Sequence, residues 1–328
     1  MNENRVLTID NLTTTFKSHK QKIQAVRGVS LYVKEGDILA IVGESGSGKS
    51  VTMKSVMGLL GENAEIQADH LELLKKDLLS MSEKEKEKMR GKDMAMVFQD
   101  PMTALNPLKK IGGHMIEVLC RHQKLSKKEA RKVAVDMLAK VGISSPESRM
   151  EQYPHEFSGG MRQRVMIAMA LCCQPRLLIA DEPTTALDVT IQAQILDLIN
   201  ELKEKLGTSV MMITHDLGVI AEVADDVMVM YAGKVVEYGS ADDIFESPKH
   251  PYTSGLMNCI PKLTDEDHTR LDVIKGMVPS FDQMPKGCAF CPRCSEAKDI
   301  CRERMPELMD VNGHKVRCFK YSKEWEEA

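Results

Sequence analysis

The chain has 328 residues and a formal net charge of −4, with 43% hydrophobic and 28% charged residues. These values are ordinary for a soluble globular protein with one large or two smaller domains. The acidic balance leaves no global basic footprint, so we expect no nucleic-acid partner. The longest apolar run, Val165–Cys173, has about half the length of a membrane span.

The N-terminus lacks the basic-then-apolar pattern of a secretory signal. We therefore expect a cytosolic chain that reaches a membrane only through a partner. Nine cysteines in such a chain indicate free thiols or metal ligation rather than disulfides.

The chain opens with alternating segments that predict a small antiparallel sheet. Val6–Phe16 and Val26–Val33 are the first two strands, and Ile66–Leu74 is predicted to return to the same sheet. Phe16 and Val26 precede the glycine-rich segment described next, where an adenine could stack or pack against them. Ordinary strand packing explains both residues equally well.

The segment GESGSGKS follows a predicted buried strand, Ile38–Val42, and precedes a helical stretch, Val51–Leu60. It fits G-x-x-x-x-G-K-[ST], the loop whose backbone N–H groups surround nucleotide phosphates at a helix N-terminus. Lys49 is predicted to reach the β- and γ-phosphates, and Ser50 to ligate Mg²⁺. The predicted nucleotide-binding residues here are Gly43, Glu44, Ser45, Gly46, Ser47, Gly48, Lys49, Ser50 and Val51.

A second buried strand, Met94–Phe98, is predicted to end at Gln99, whose amide could touch Mg²⁺ or an attacking water. Helices are predicted over Ser82–Arg90, Ile111–His122 and Ser126–Val141. The first and third begin with capping boxes, in which a serine is followed three residues later by glutamate.

Ser158, Gly159 and Gly160 begin another predicted helix within FSGGMRQR. The three residues could form a second anion-binding helix terminus, or the glycines could simply start the helix.

Leu177–Ala180 is predicted as a third buried strand, followed by Asp181 and Glu182. Beside a phosphate loop, Asp181 can hold Mg²⁺ and Glu182 can polarise a water for attack, although paired acids can also cap a helix. Ser209–Ile213 is a fourth buried strand, followed by His215. Because ligands bind at the carboxyl ends of strands in open α/β sheets, these side chains form one candidate constellation.

A long helix with an apolar face is predicted from Ile191 to Leu206, before that fourth strand. Beyond it, Val227–Met230 and Val235–Tyr238 are predicted to form a hairpin.

Taken in order, GESGSGKS, FQDP, FSGGMRQR, LLIADEP, ALD and ITHD resemble the ATP-binding subunit of an ABC transporter over essentially the whole chain. Phe98–Pro107, His250–Thr253 and the cysteine-bearing tail are typical of the importers of dipeptides, oligopeptides and nickel.

This resemblance implies an α/β fold with a P-loop NTPase (RecA-like) core. A small antiparallel β subdomain, a helical signature subdomain and a Cys-rich C-terminal extension are expected to complete it. The implied domains are an ABC ATPase domain over residues 1–240, with its helical part at about 105–160, and an extension over residues 241–328.

The resemblance also implies two ATP molecules, each held between two such subunits arranged head to tail. Glu182 is then the catalytic base, His215 the γ-phosphate sensor and Asp188 part of the dimer contact. Ser50, Gln99 and Asp181 are expected around Mg²⁺. Ser158, Gly159 and Gly160 are expected to serve the partner's ATP.

The implied partners are a paralogous ATPase subunit, two transmembrane permeases and an extracytoplasmic solute-binding protein. The chain is then a peripheral ATPase at the cytoplasmic face of the cell membrane that powers peptide import, with nickel or another small solute as the alternative cargo. A soluble ABC-type ATPase unrelated to transport is the alternative of a different class, but such proteins usually carry two cassettes, and the sequence shows one P-loop. A cluster-bearing redox or sensor protein is disfavoured by the intact Glu182 and His215.

Five cysteines lie close together in the tail, at positions 288, 291, 294, 301 and 318. The peptide-importer branch usually has C-x-F-x-x-R-C, then a third cysteine, then a fourth after a histidine. The tail resembles this pattern, with Phe290, Arg293 and His314 in place. It implies a [4Fe–4S] cluster on Cys288, Cys294, Cys301 and Cys318, with Cys291 as an extra thiol. Zinc is the main rival, since four thiolates suit it equally, and reduced thiols without metal are the third possibility.

Overall fold

The computed structural model describes residues 4–17, 21–100, 104–183, 189–259, 273–281 and 283–327. The chain divides into two compact units, which we describe separately. The first comprises residues 1–7, 33–38 and 73–214, and the second comprises residues 8–32, 39–72 and 215–328. The boundary at residue 240 expected from the sequence remains a prediction.

Strands and helices are numbered in chain order among the described residues. The strands are β1 Arg5–Lys17, β2 Lys22–Lys34, β3 Ile38–Val42, β4 Ala64–Gln67, β5 His70–Leu73, β6 Lys76–Asp77, β7 Met94–Val97, β8 Leu177–Asp181, β9 Ser209–Ile213, β10 Asp226–Tyr231, β11 Lys234–Ser240, β12 Met309–Val311 and β13 His314–Val316. The helices are α1 Lys49–Met57, α2 Glu83–Met89, α3 Ile111–Gln123, α4 Lys127–Lys140, α5 Pro146–Arg149, α6 Gly159–Leu171, α7 Val189–Leu206, α8 Leu217–Val223, α9 Ala241–Glu246, α10 Pro251–Asn258, α11 Asp299–Glu303 and α12 Glu324–Glu327.

The first unit contains three parallel strands in the order β9–β8–β7. Every residue on them is buried, which explains why they are continuous apolar runs rather than alternating ones. All three predicted strands are confirmed to within one residue. Val97 pairs with Ala180, and Asp181 with Ile213, so the carboxyl ends of the three strands lie together.

The helices of the first unit follow their predicted signals. The Ser82 and Ser126 capping boxes are both present, with Glu85 and Glu129 accepting from the serine N–H groups at 2.9 Å. Gly142 takes a φ of +72° just beyond the end of α4, as expected for a glycine that ends a helix.

The second unit contains the strands β12–β13–β11–β10–β3 as consecutive neighbours. β3 and β10 are parallel, and β10 and β11 form the predicted hairpin through Ala232 and Gly233, both with positive φ. Two positive φ angles match a type I′ turn, the usual connection of a tight hairpin. Beyond β11, β13 and then β12 continue this sheet, so strands of the C-terminal tail lengthen it.

The strand predicted over Ile66–Leu74 is wrong in one respect, because two strands, β4 and β5, occupy this stretch. β4 pairs antiparallel with β1, with Gln67 opposite Thr13 and Ala64 opposite Phe16. The two strands are separated at Asp69, whose N–H donates to the Asp10 carbonyl at 3.0 Å. Aspartate is unfavourable inside a strand, so a turn forms where a single strand was expected.

A fully buried carboxylate connects the tail hairpin to β11. Glu237 is 0% exposed and accepts from the N–H groups of Lys249 at 2.6 Å and His250 at 2.9 Å. Its Oε1 also lies 2.6 Å from Nε2 of His314, which is 1% exposed. Each of these contacts stabilises the folded state, because a carboxylate left unpaired in the interior lowers the free energy of unfolding.

His314→Ala is expected to lower the free energy of unfolding by about 3 kcal/mol, because it leaves Glu237 buried with one partner fewer. His314→Gln should lower the free energy of unfolding by less, because glutamine can still donate a hydrogen bond to Glu237. Urea unfolding measures both changes, with the exposed His70→Ala as the control. Equal stability of His314→Ala and the wild type would contradict this assignment.

Candidate functional site

The loop between β3 and α1 is shaped by glycines that no other residue could replace. Gly43 has a φ of +145°, and a Cβ built there would lie 2.1 Å from the Met230 carbonyl oxygen. Gly48 has a φ of +99°, and its Cβ would lie 2.7 Å from the Ala25 carbonyl oxygen. The loop therefore packs directly against neighbouring backbone in a conformation restricted to glycine.

Lys49 begins α1 and closes this loop. Its Nζ donates to the carbonyl oxygens of Gly43 at 2.6 Å and Glu44 at 3.0 Å, and lies 3.4 Å from Ser47 Oγ. The residue is only 8% exposed. The Lys49 cation and the N-terminal end of a nine-residue helix thus lie together, and both favour the binding of an anion there.

The two residues predicted beside an adenine have different surroundings. Val26 is 0% exposed, which is what ordinary strand packing requires. Phe16 is half-buried near the end of β1, opposite Ala64. An adenine contact for either residue stays a prediction.

In the first unit, the carboxyl ends of β7 and β8 bring three polar residues together. Gln99 Nε2 donates to Glu182 Oε2 at 2.7 Å, and Asp181 precedes Glu182 with 4% exposure. Glu182 has a φ of +49°, and its N–H donates to the Ile213 carbonyl at 2.9 Å. A non-glycine residue held at positive φ is strained, and such strain concentrates at functional sites.

This arrangement suits a carboxylate that takes a proton. Glu182 is held at a fixed angle by its backbone and by the Gln99 amide, while Asp181 supplies a second carboxylate oxygen pair. Carboxylate oxygens are preferred ligands of Mg²⁺, so the pair of acids can divide metal binding and proton transfer between them.

The Ser158–Gly160 segment begins α6 as predicted. Ser158 is the N-cap residue, and its Oγ accepts from the Met161 N–H at 3.3 Å. Ser158 and Gly159 are exposed, and a Cβ at Gly159 would meet no atom within 4 Å. The start of this helix is therefore open to an external ligand.

Sequence reasoning missed a contact between this helix and the acidic segment. Gln163, 2% exposed, donates from Nε2 to the Pro183 carbonyl at 2.6 Å. The residue after Glu182 is thus tied to the helix that begins at Ser158. The only sequence signal was a polar residue at an otherwise apolar helical position.

His215 lies two residues beyond β9 and is exposed. The next residue, Asp216, caps α8 by accepting from the N–H groups of Gly218 at 3.0 Å and Val219 at 3.3 Å. Asp188 lies outside the described residues.

The five tail cysteines line one small cavity of about 20 Å³, which is room for about one water molecule. Cys291 belongs to this cavity as much as the four predicted ligands do, although the sequence indicated it as an extra thiol. Among the described residues, however, no three His, Cys, Asp or Glu side chains are placed to hold a metal ion. The cluster therefore remains a prediction.

Burial raises the pKa of the Cys288 thiol to about 12 and that of Cys318 to about 11. Both thiols are therefore protonated at neutral pH in this arrangement. A metal would have to displace these protons, because cysteine ligates as the thiolate.

Comparisons with known proteins decide which family this site belongs to. The family described as "ABC transporter" matches residues 26–185, and "Oligopeptide/dipeptide transporter, C-terminal region" matches residues 236–301. The oligopeptide transport ATP-binding protein AppD of Bacillus subtilis is 51% identical over 97% of this chain and 98% of its own length. The chain belongs to the ABC transporter ATP-binding proteins.

Other relatives agree with this assignment. The oligopeptide transport ATP-binding protein OppD of Escherichia coli is 48% identical over 96% of this chain and 93% of its own length. A solved dimer of the ATP-binding cassette MJ0796, in a post-hydrolysis state bound to ADP and phosphate, has a TM-score of 0.64 at 28% identity. It covers 72% of this chain and 98% of that one.

As an ABC ATP-binding protein, the chain has the α/β cassette fold, binds ATP with Mg²⁺ and hydrolyses ATP. Among its described residues, no helix is both long and apolar enough to cross a membrane.

Proposed function

We propose that this chain hydrolyses ATP to power the import of dipeptides and oligopeptides through a membrane ABC transporter. The observation that carries the proposal is the match of residues 236–301 to the oligopeptide/dipeptide transporter C-terminal region. Nearly full-length identity of about 50% to proteins named for oligopeptide and dipeptide transport supports the same cargo class.

ATP is proposed to bind at the loop Gly43–Ser50, and the resemblance to the family proposes roles in ATP binding and hydrolysis for Gln99, Asp181 and Glu182 as well. The buried Lys49 and the helix terminus suit the triphosphate, and Ser50, Gln99 and Asp181 would hold Mg²⁺, which neutralises phosphate charge. Val51 continues the phosphate-binding loop, and Phe16 and Val26 are the candidates for contact with the adenine.

Glu182 is proposed as the catalytic base. Its carboxylate takes a proton from the attacking water, and the Gln99 amide at 2.7 Å keeps that carboxylate oriented. His215 is proposed to contact the γ-phosphate and to respond to its loss.

Ser158, Gly159 and Gly160 are proposed to complete the ATP site of a partner ATPase. The exposure of Ser158 and Gly159 at the start of α6 supports this role, because a residue used across an interface has to face outward. The dimeric cassette structure similar to this chain supports a paired arrangement. A paralogous subunit is the proposed partner, and ATP binding closes the dimer while hydrolysis reopens it.

Two permeases and an extracytoplasmic solute-binding protein are proposed to complete the transporter, with this chain at the cytoplasmic face of the membrane. The cargo is then chosen by those other chains, since no peptide site is proposed on this one.

We also propose that Cys288, Cys294, Cys301 and Cys318 hold a [4Fe–4S] cluster of structural role. The donor chemistry supports it, because cysteine sulfur is the usual ligand of iron–sulfur clusters and of structural zinc, and these four cysteines line one cavity. Iron and acid-labile sulfide content after anaerobic purification tests it. Zinc without iron would show that the rival metal occupies the site. If neither iron nor zinc is found, the cysteines are reduced thiols without a metal.

The experiment that tests the transport function is ATP hydrolysis by the reconstituted complex in liposomes. The complex contains this chain, its partner ATPase, both permeases and the binding protein. Peptides are expected to stimulate hydrolysis. Stimulation by nickel chelates alone would replace the peptide cargo, and failure to assemble with permeases would favour a soluble ATPase.

A further inference from the structure

The cysteine-rich tail contacts the phosphate-binding loop directly through one arginine. Arg293 lies between Cys291 and Cys294, and its Nη1 and Nη2 donate to the two carboxylate oxygens of Glu44 at 2.6 and 2.9 Å. The Arg293 side chain is 4% exposed and that of Glu44 is 30% exposed. Such bidentate pairs fix geometry as well as charge.

Every other donor direction of this guanidinium is also used. Nε donates to the Lys275 carbonyl at 3.0 Å, Nη2 to the Ile274 carbonyl at 3.2 Å, and Nη1 to the Tyr231 hydroxyl at 3.3 Å. A side chain bound at five points has one orientation. Glu44 is therefore attached to a rigid group rather than to a flexible surface charge.

The loop is fixed at the same residue by a second contact. The Glu44 N–H donates to the Tyr252 hydroxyl at 2.8 Å, and Tyr252 is fully buried. Tyr231, Tyr252 and Phe290 pack against one another with ring centroids 4.7 to 5.4 Å apart. This aromatic cluster joins the segment that carries Arg293 to the strand and helix beside the loop.

Glu44 has a direct influence on the phosphate site. Its carbonyl oxygen accepts from Lys49 Nζ at 3.0 Å and from the Ser47 N–H at 3.2 Å. Its carboxylate carries a negative charge beside a loop that has to receive a highly anionic triphosphate. Arg293 neutralises that charge and holds the loop in place.

We propose that Arg293 is a positioning residue of the ATP-binding loop, through which the cysteine-rich tail sets the affinity for ATP. The inference rests on the ATP site proposed above. It gives a function to two motif residues that have no part in the proposed catalysis, Arg293 of C-x-F-x-x-R-C and Tyr252 of His250–Thr253.

Equilibrium dialysis of labelled ATP with Mg²⁺ against the purified full-length chain tests the proposal. Arg293→Ala is expected to weaken ATP binding about 10-fold, a common size for coupling between two sites. In the assembled transporter, KM for ATP should rise while kcat changes little, because Glu182 and Gln99 are untouched. The Lys320→Ala variant is the matched control. It breaks a tail ion pair with Glu296 at 2.6 Å that does not involve the loop, and it should bind ATP like the wild type.

A second variant separates loop positioning from general damage to the tail. Glu44→Gln removes the carboxylate charge, so Arg293→Ala combined with Glu44→Gln should bind ATP better than Arg293→Ala alone. Simple addition of the two losses would overturn the proposal, since interacting residues give non-additive effects.

Wild-type affinity in a folded Arg293→Ala would also overturn the proposal. If that variant does not fold, Arg293→Lys decides, because it keeps the charge but loses the fork; unchanged affinity there would again overturn it. A wild-type chain that binds no ATP would instead refute the ATP site itself, which distinguishes the two failures.

Discussion

Glu182→Gln is expected to slow ATP hydrolysis by about 10³-fold, within the usual contribution of a general base. The amide has nearly the shape of the carboxylate but cannot take a proton from water. Glu182 is also held by the Ile213 carbonyl and by Gln99, so the substitution should leave the local backbone in place. ATP binding should therefore persist.

Phosphate release at saturating ATP and equilibrium binding of ATP are the two measurements for Glu182→Gln. The control is Glu201→Gln, which removes an exposed carboxylate that pairs with Lys205 on the same helix. In the assembled transporter, any remaining rate belongs to the partner's site. Undiminished hydrolysis by the purified Glu182→Gln chain would exclude Glu182 as the base.

Lys49→Ala is expected to weaken ATP binding by about 100-fold, since a hydrogen bond to a charged group contributes about 1.5–3 kcal/mol. The loss has two sources. The phosphates lose their cation, and the carbonyl groups of Gly43 and Glu44 lose the ammonium that joins them.

The matched control for this change is Lys54→Ala, which removes a lysine from the last turn of the same helix. Its ATP affinity should remain that of the wild type, as measured by the same equilibrium dialysis. Tight ATP binding by Lys49→Ala would show that the nucleotide does not lie in this loop.

Local signals predicted the elements that carry the candidate site. β7, β8 and β9 are buried apolar runs followed by polar residues, and both capping boxes place helix starts correctly. These features depend on neighbouring residues, so a single sequence contains them. The strand predicted over residues 66–74 is divided at Asp69 and His70, where the alternation shifts phase from Ile66 and Ala68 to Leu71 and Leu73. This local signal of a turn was present in the sequence but was not used in the prediction.

Long-range polar contacts were not predictable in the same way. Arg293 and Glu44 are 249 residues apart, and Gln163 and Pro183 are joined through a backbone carbonyl that leaves no trace in residue type. Glu237 likewise lies in β11, where Val235 to Gly239 are all buried, although a charged residue in a strand normally indicates a solvent-facing position. Each of these pairings is determined by packing rather than by local pattern.

ATP-dependent accumulation of a labelled tripeptide in proteoliposomes that hold the complete transporter tests the central claim most directly. The wild-type chain should support accumulation, and a complex carrying Glu182→Gln should support little or none. Peptide accumulation that continues unchanged with Glu182→Gln, or ATP-driven uptake of nickel without any uptake of peptide, would contradict the account.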